Sequence, residues 1–597
     1  MPAPLPQTRF PDDTLNALVR DKLHPQLDAF CRRLLAEGRS MTIDGTQVFN
    51  GRDKFLPGKI AMGLSYLLLG TPRSDGRLAG YVEGFGQIVR LTLDDTNDSW
   101  GIYYYIAALH RLAQGGLLEA AVDAGSLARL REQLDWRRFV NEADFTLIDL
   151  PTNYYGVAFS IARLRYLLGW EDANASEVLL QKTIDHYRTY SGEFGFSDET
   201  DGEGRFDRYS ILLIGEICQR FIETGLELST ELAGWLRRAV DVILLRLNPE
   251  GHGFDFGRSI GPYGDTAFLE VLAAAARLNM LAPEERALAH SFALRATRKY
   301  VSFWFDADTQ SVNLWDKGRR TDAYRGKHRI LGENLSLLHQ FLYTSRQWAA
   351  IGYGNAPVLP DFAERLARLP RFTTTWFARG KHDRALITFR DRGRIISLPI
   401  INGGSSQHAH NPYFPIPFCN DLIQGAADSD WPQLLPRFTL DDGSVLIPAA
   451  FQRGLVCEQE GNALSVRYQQ RDMDRLGGIA PQADDRLSVR TCYRLDSGLL
   501  IREDRFTPTL PLDGVSIALE FASFSRAQSI TGGSVFYADG AAQEFRIEGL
   551  PECRVDDVSQ DPLYQAPMGQ LLSCVRCGGT NMRLDRPFTI RWILRYR

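Results

Sequence analysis

A chain of 597 residues, 44% hydrophobic and 24% charged, is long enough to bury the cores of two or more domains. Its formal net charge of −5 excludes a general electrostatic hold on nucleic acid, so an anionic partner needs a locally basic site. No apolar run reaches the ~18 residues of a membrane span. Met1-Pro2-Ala3-Pro4-Leu5-Pro6 lacks the basic start and apolar core of a signal peptide, and a cytoplasmic location is therefore expected.

From about Asp12 to Trp348 the pattern predicts helix after helix. Segments 57–70, 78–93, 98–114, 154–168, 173–189, 207–224, 229–247, 262–278 and 283–299 each carry apolar residues at helical spacing. In 207–224, Tyr209, Leu213, Ile217 and Phe221 line one stripe. Breaks such as Gly169-Trp170-Glu171-Asp172 and Leu281-Ala282-Pro283 separate the segments. Helices at such even spacing suggest stacked hairpins closing into an N-terminal α/α toroid over residues 1–350. Residues 351–375, which include Gly352-Tyr353-Gly354-Asn355-Ala356-Pro357, read as a linker with a short helical run. Over 376–597 the period changes to two. Arg384 to Ile401 reads as a hairpin turning at Asp391-Arg392-Gly393, and strands recur at 463–469, 486–495, 498–506, 515–524 and 588–596. The expected C-terminal domain is an antiparallel β-sandwich, giving an α+β multidomain chain.

Several segments carry chemistry. Ser191 to Gly204 is too rich in glycine and acid for helix, and it delivers the chain into Phe206-Asp207-Arg208-Tyr209-Ser210. Phe256-Gly257-Arg258-Ser259-Ile260-Gly261-Pro262-Tyr263-Gly264 again joins arginine and tyrosine to glycines. Asp316 to Arg329 sets six Lys or Arg against two Asp in an acidic protein. A solvated loop explains such a run, but Arg325 and His328 with the interleaved Tyr324 also suit a sugar-acid contact, because Arg binds carboxylates bidentately. Gln407-His408-Ala409-His410 holds two of the ten histidines, spaced to face the same way on a strand; a structural pair reads identically. Of eight cysteines only Cys574 and Cys577 form a C-x-x-C, no second pair completes a zinc tetrad, and the spacing argues against a disulfide framework.

These motifs together resemble the heparinase II/III-like and alginate-lyase group of polysaccharide lyases, which join an α/α toroid to antiparallel sheets. Thr152-Asn153-Tyr154-Tyr155-Gly156 resembles the group's segment supplying a carboxylate-neutralising Asn. Asp201 to Tyr209 looks like its loop leading to a catalytic Tyr, and Phe256 to Ile260 is similar to its Gly-Arg segment. Gln407 to His410 resembles its His-x-His, where the first His acts in catalysis and the second can bind zinc. Two departures stand out: Tyr154 follows Asn153 where the group often has His, and no histidine follows His410. Asp421, Asp428 or Cys419 could complete a zinc site only in part, so no cofactor is expected, with zinc or another divalent cation at His410 as the alternative.

The implied chemistry is β-elimination of a 4-linked uronic acid. Asn153 and Arg208, with Arg258 behind them, are the candidates to neutralise the C6 carboxylate. His408 is the candidate base for the C5 proton and Tyr209 the candidate acid for O4, with Tyr155 and Tyr263 as understudies. Arg325, His328 and His410 complete the expected contacts with an anionic oligosaccharide or polysaccharide; no membrane or nucleic-acid partner is expected. One alternative is a glycoside hydrolase, which needs two carboxylates, with Asp98, Asp207, Asp255, Asp265 and Glu333 available but unpaired in sequence. The other is a non-catalytic carbohydrate-binding protein.

Overall fold

The structure, a computed structural model, describes residues 14–197, 204, 206–257, 259–316, 318–321, 325–401, 413–424, 433–478 and 480–597, with backbone alone at Tyr209 and Leu212. Six helices, Leu56–Gly70, Ser99–Gln114, Tyr155–Leu167, Arg208–Thr224, Pro262–Arg277 and Ile330–Ala350, each pack on the next, and the last packs on the first to close a ring. Outer helices, among them His24–Glu37, Arg77–Thr92, Asn174–Tyr190, Thr230–Leu244 and Pro283–Lys299, return the chain between inner ones. The inner helices therefore run the same way, and their N-termini gather at one end, the mouth of a toroid. Close approach needs small residues: a Cβ at Gly58 would stand 2.0 Å from the Gly101 carbonyl oxygen of the neighbouring helix.

The apolar stripe read in 207–224 is buried where it is described, with Leu213, Ile217 and Phe221 at most 9% exposed. Burying each such side chain contributes roughly 1.5–3 kcal/mol. The opposite stripe of the same helix, Glu216, Arg220 and Glu223, is polar and enters the lumen. An inner helix of a toroid thus has two buried faces of different character, one against the outer layer and one inside the ring.

After the short helix Phe362–Ala367 the chain forms strands. Phe372–Ala378, Arg384–Asp391 and Arg394–Ile400 make a three-stranded antiparallel sheet. Its hairpin turns at Arg392 and Gly393, both with positive φ, as a two-residue turn of this hand requires. This sheet docks on the toroid through a buried cluster. Arg246 donates to Asp255 at 3.0 Å and to Ser397 at 2.9 Å, and Ser397 donates to Asp255 at 2.8 Å. Beyond it, antiparallel sheets of eight and seven strands lie face to face. Phe438 of one meets Phe506 of the other at 4.8 Å between ring centroids, and Phe521 meets Phe545 at 4.8 Å. Strand Leu487–Asp496 alternates buried with more exposed residues, the pattern of a sheet with one face on the core.

One expectation is corrected. Cys553 and Cys577 face each other across strands Glu552–Asp557 and Ser573–Leu584 and form a disulfide, while Cys574 is a buried free thiol. Residues three apart on a strand point to opposite faces, so the C-x-x-C is split and Cys577 takes its cross-strand neighbour. No described helix is long and apolar enough to cross a membrane.

Candidate active site

The inner-helix N-termini carry most of the charged chemistry. Asp207 caps Arg208–Thr224: its carboxylate accepts from the Ser210 N–H at 2.7 Å, and the Ser210 hydroxyl accepts from the Asp207 N–H at 2.8 Å. The cap is shared with the sheet domain, because the Tyr413 hydroxyl donates to the second carboxylate oxygen at 2.6 Å. Arg208, the first helical residue, is 3% exposed. Its Nε donates to the Tyr263 carbonyl at 2.9 Å, and its guanidinium lies 5.1 Å from the Tyr263 ring centroid. Arg325 approaches the same ring at 3.8 Å, so Tyr263 is within cation–π reach of two arginines.

The turn between Phe256 and Pro262 explains its glycines. Gly257, Ser259 and Gly261 all have positive φ. A Cβ at Gly257 would stand 2.9 Å from the Tyr413 ring. Ser259 is fully buried in this uncommon conformation, and its hydroxyl accepts from Arg325 Nε at 3.2 Å and Nη2 at 3.1 Å. The turn thereby delivers Pro262 to the first turn of its helix, where a missing N–H is harmless.

Glu333, fully buried near the start of Ile330–Ala350, is the anchor of this end. It accepts from Arg325 at 3.0 Å, from the Tyr263 hydroxyl, and pairs with Arg329 at 3.2 Å and Lys59 at 3.4 Å. Lys59 also meets Asp53 at 3.0 Å. Burial alone would raise the Glu333 carboxyl, but Lys59, Arg329 and Arg325 hold it well below the usual range. Burial and then the Glu333 charge push the Tyr263 phenol well up, so its hydroxyl stays protonated.

About two helical turns inside the mouth, Glu216 and Glu270 enter the lumen from neighbouring helices, each eight residues after the start of its helix. Glu270 is 5% exposed and its Oε2 has no hydrogen-bond partner among the described residues. Burial pushes its carboxyl up to about 7, with Arg208 opposing. Burial and the neighbouring Glu270 push Glu216 well above its ordinary value. The phenol of Tyr104, on the inner helix Ser99–Gln114, is pushed well up by burial and then by the Glu216 charge. Half-buried Trp100 lies 6.2 Å from Tyr104 and 6.3 Å from Tyr154, forming an aromatic wall beside Asn153.

Of the residues singled out in the sequence, Arg208, Tyr263 and Arg325 come together at the mouth. Asn153 sits in the 3-10 turn Thr152–Tyr154 that opens the adjacent inner helix, and Tyr155 follows with Lys182 5.4 Å from its ring. That helix meets the Arg208 helix closely, since a Cβ at Gly156 would touch Leu213 at 3.4 Å. His328 stands in the turn before Ile330–Ala350, its ring shifted down by burial and then by Arg52 and Arg329. Within the Asp316–Arg329 loop Asp316 is exposed, whereas Arg325 is 9% exposed and committed to Glu333 and Ser259. Arg258, His408, His410 and the Tyr209 side chain lie outside the described residues. Among those described, no group of three His, Cys, Asp or Glu is placed to hold a metal ion, and Asp421 forms an ion pair with Arg394.

Sequence reasoning passed over Glu216, Glu270 and Trp100. The signal for the acids was present, since Glu270 interrupts Ala267-Phe268-Leu269-Glu270-Val271-Leu272-Ala273, an otherwise apolar run. A charge there is unfavourable unless the helix lines a polar space.

No protein-family model and no curated protein sequence matches the chain. Solved structures do. A chondroitin AC lyase from Streptomyces coelicolor, in complex with chondroitin sulphate, aligns with a TM-score of 0.52 at 13% identity, covering 96% of this chain and 78% of that one. Heparinase III aligns at 0.49 and 11% identity, covering 96% and 85%. A glycosyl hydrolase of family 88 from Bacteroides vulgatus aligns at 0.36 and 10%, covering 56% of this chain and 100% of its own. The chain has a polysaccharide-lyase-like fold.

Proposed function

We propose that the protein is a polysaccharide lyase that cleaves uronic-acid-containing glycans by β-elimination, leaving a 4,5-unsaturated uronate. The observation that carries this reading is the Tyr413–Asp207 hydrogen bond. It joins the chain three residues beyond His410 to the cap of the helix that begins Arg208-Tyr209. A base from the sheet domain and an acid and guanidinium from the toroid are what the elimination asks for. In this reading Arg208 and Asn153, with Arg258, neutralise the C6 carboxylate at a helix N-terminus, where the backbone dipole also favours negative charge. His408 takes the C5 proton and Tyr209 protonates O4. Tyr263 and Arg325, tied to Glu333, hold Arg208 in place rather than meeting the sugar. Trp100 and Tyr154 offer apolar faces for a sugar ring. The lyase fold, shared with an enzyme captured with chondroitin sulphate, supports a glycan as substrate.

A second reading draws on Glu216 and Glu270, two carboxyls on neighbouring inner helices that pack closely there, since a hydrolase needs a pair of carboxyls, one as acid and one as base or nucleophile. One experiment separates the two. Incubation with a panel of uronic-acid glycans, followed by ultraviolet absorbance, detects the unsaturated uronate that elimination creates and hydrolysis does not. Sugar release without that chromophore sinks the lyase reading.

A further inference from the structure

The far end of the toroid lumen is plugged. Arg111 of Ser99–Gln114 reaches across to Glu223 of Arg208–Thr224, which also pairs with Arg220 one turn earlier on its own helix. Arg111 lies 4.8 Å from the Tyr66 ring centroid and Arg220 4.5 Å from that of Tyr103. His339 of Ile330–Ala350 stacks beside Tyr66 at 6.5 Å and meets Tyr104 at 5.6 Å. Arg111, Tyr66, Tyr103 and His339 are buried and Arg220 completely so, and together these described side chains close the ring to a threading glycan. The side chains above the plug differ: Tyr104, Trp100, Tyr154 and Glu216 are only half-buried. Among the described residues the lumen is thus blind at the base, and its partly exposed side chains lie towards the mouth.

Glu270 and Glu216 stand on that floor, about two helical turns or ~12 Å below the helix starts. A buried carboxyl oxygen without a partner among the described residues is costly, and a sugar hydroxyl reaching the lumen floor would supply the missing bond. Carboxyls held in low dielectric keep a proton readily, and a protonated carboxyl both donates and accepts, which matches a pair of sugar hydroxyls. The free hydroxyls that distinguish a terminal sugar from an internal one are those the glycosidic bond would otherwise occupy.

We infer that the enzyme acts from a chain end, with Glu270 and Glu216 at the blind floor of the lumen receiving the hydroxyls of the terminal sugar. This rests on the lyase reading of the mouth. The test follows product size with time on a long uronate glycan that yields unsaturated product. The expected result is small unsaturated fragments from the first turnovers, with the remaining polymer shortening slowly. Glu270→Leu should raise KM for short oligosaccharides about tenfold, the value of one lost hydrogen bond, and raise KM more than it lowers kcat. Glu270→Gln should recover part of that loss. A ladder of internal fragments and an early collapse of viscosity would overturn the inference while leaving the lyase reading intact. So would Glu270→Leu with unchanged KM. If Glu270→Leu does not fold, the product pattern of the unaltered enzyme decides alone. Absence of unsaturated product from every glycan removes the lyase reading, and this inference with it.

Discussion

Tyr413 and Asp207, 206 positions apart in the chain, share a 2.6 Å hydrogen bond between a phenol and the carboxylate that caps the Arg208 helix. The same tyrosine ring packs against Gly257, where no side chain fits. A single residue of the sheet domain therefore touches two of the toroid segments that drew attention in the sequence. Tyr413→Phe should cost about 1.5–3 kcal/mol, the range for a hydrogen bond to a charged group. Denaturant unfolding would measure that loss, and the unsaturated-uronate assay should show turnover falling further than stability predicts. Unchanged stability and turnover would mean that the bond has no consequence.

Glu333 balances Lys59, Arg325 and Arg329 in a buried site. Removing its charge takes one of the two buried carboxylates, Glu333 and Asp53, from this cation cluster, and breaking a buried pair usually costs about 3–5 kcal/mol. Glu333→Gln is therefore expected to lower the melting temperature markedly. A variant as stable as the parent would show that these cations are solvated after all.

Glu270 predicts a pH dependence of opposite sign to that of a salt-bridged acid. Its folded value is about 7 against a reference of 4.5, so between those limits the folded state holds a proton that the unfolded state has lost. Stability from this group is greatest below the reference value, falls as pH rises towards about 7, and is level beyond. Glutamine does not titrate. The melting-temperature difference between Glu270→Gln and the parent should be small near pH 5 and favour the variant near pH 8, by calorimetry. A difference independent of pH contradicts the raised value.

The proposed chemistry makes a further demand. Tyr209→Phe removes one oxygen and little bulk, and His408→Ala removes the base; each should reduce turnover on the order of 10²-fold or more. Arg208→Ala should do the same through the carboxylate. The Tyr209→Phe, His408→Ala double variant should lose much less than the product of the single losses, because the steps are coupled. Near-parental turnover of Tyr209→Phe with a normal melting temperature would assign the acid elsewhere.

The helices and strands are legible in the sequence because their signal is local. Apolar spacing of 3.6 or 2 is written in consecutive residues, and the observed Pro262–Arg277, Pro283–Lys299 and Phe588–Tyr596 follow the expected 262–278, 283–299 and 588–596 closely. The turn at Asp391-Arg392-Gly393 is equally local, set by positive φ. Arg208 and Tyr263 could be picked out because glycines and caps crowd around helix starts. What the sequence could not rank is which charges a neighbour consumes. Arg325 reads as a free basic residue, yet Glu333, eight positions on, and Ser259, 66 positions back, take its donors. The C-x-x-C reads as a pair, yet strand parity separates its thiols and register gives Cys577 to Cys553. Glu216 and Glu270, 54 positions apart, share a lumen only because six helices close on themselves, and ring closure is a property of packing between distant segments. Local periodicity determined the elements; long-range burial and electrostatics decided which of their polar groups remain available to a ligand.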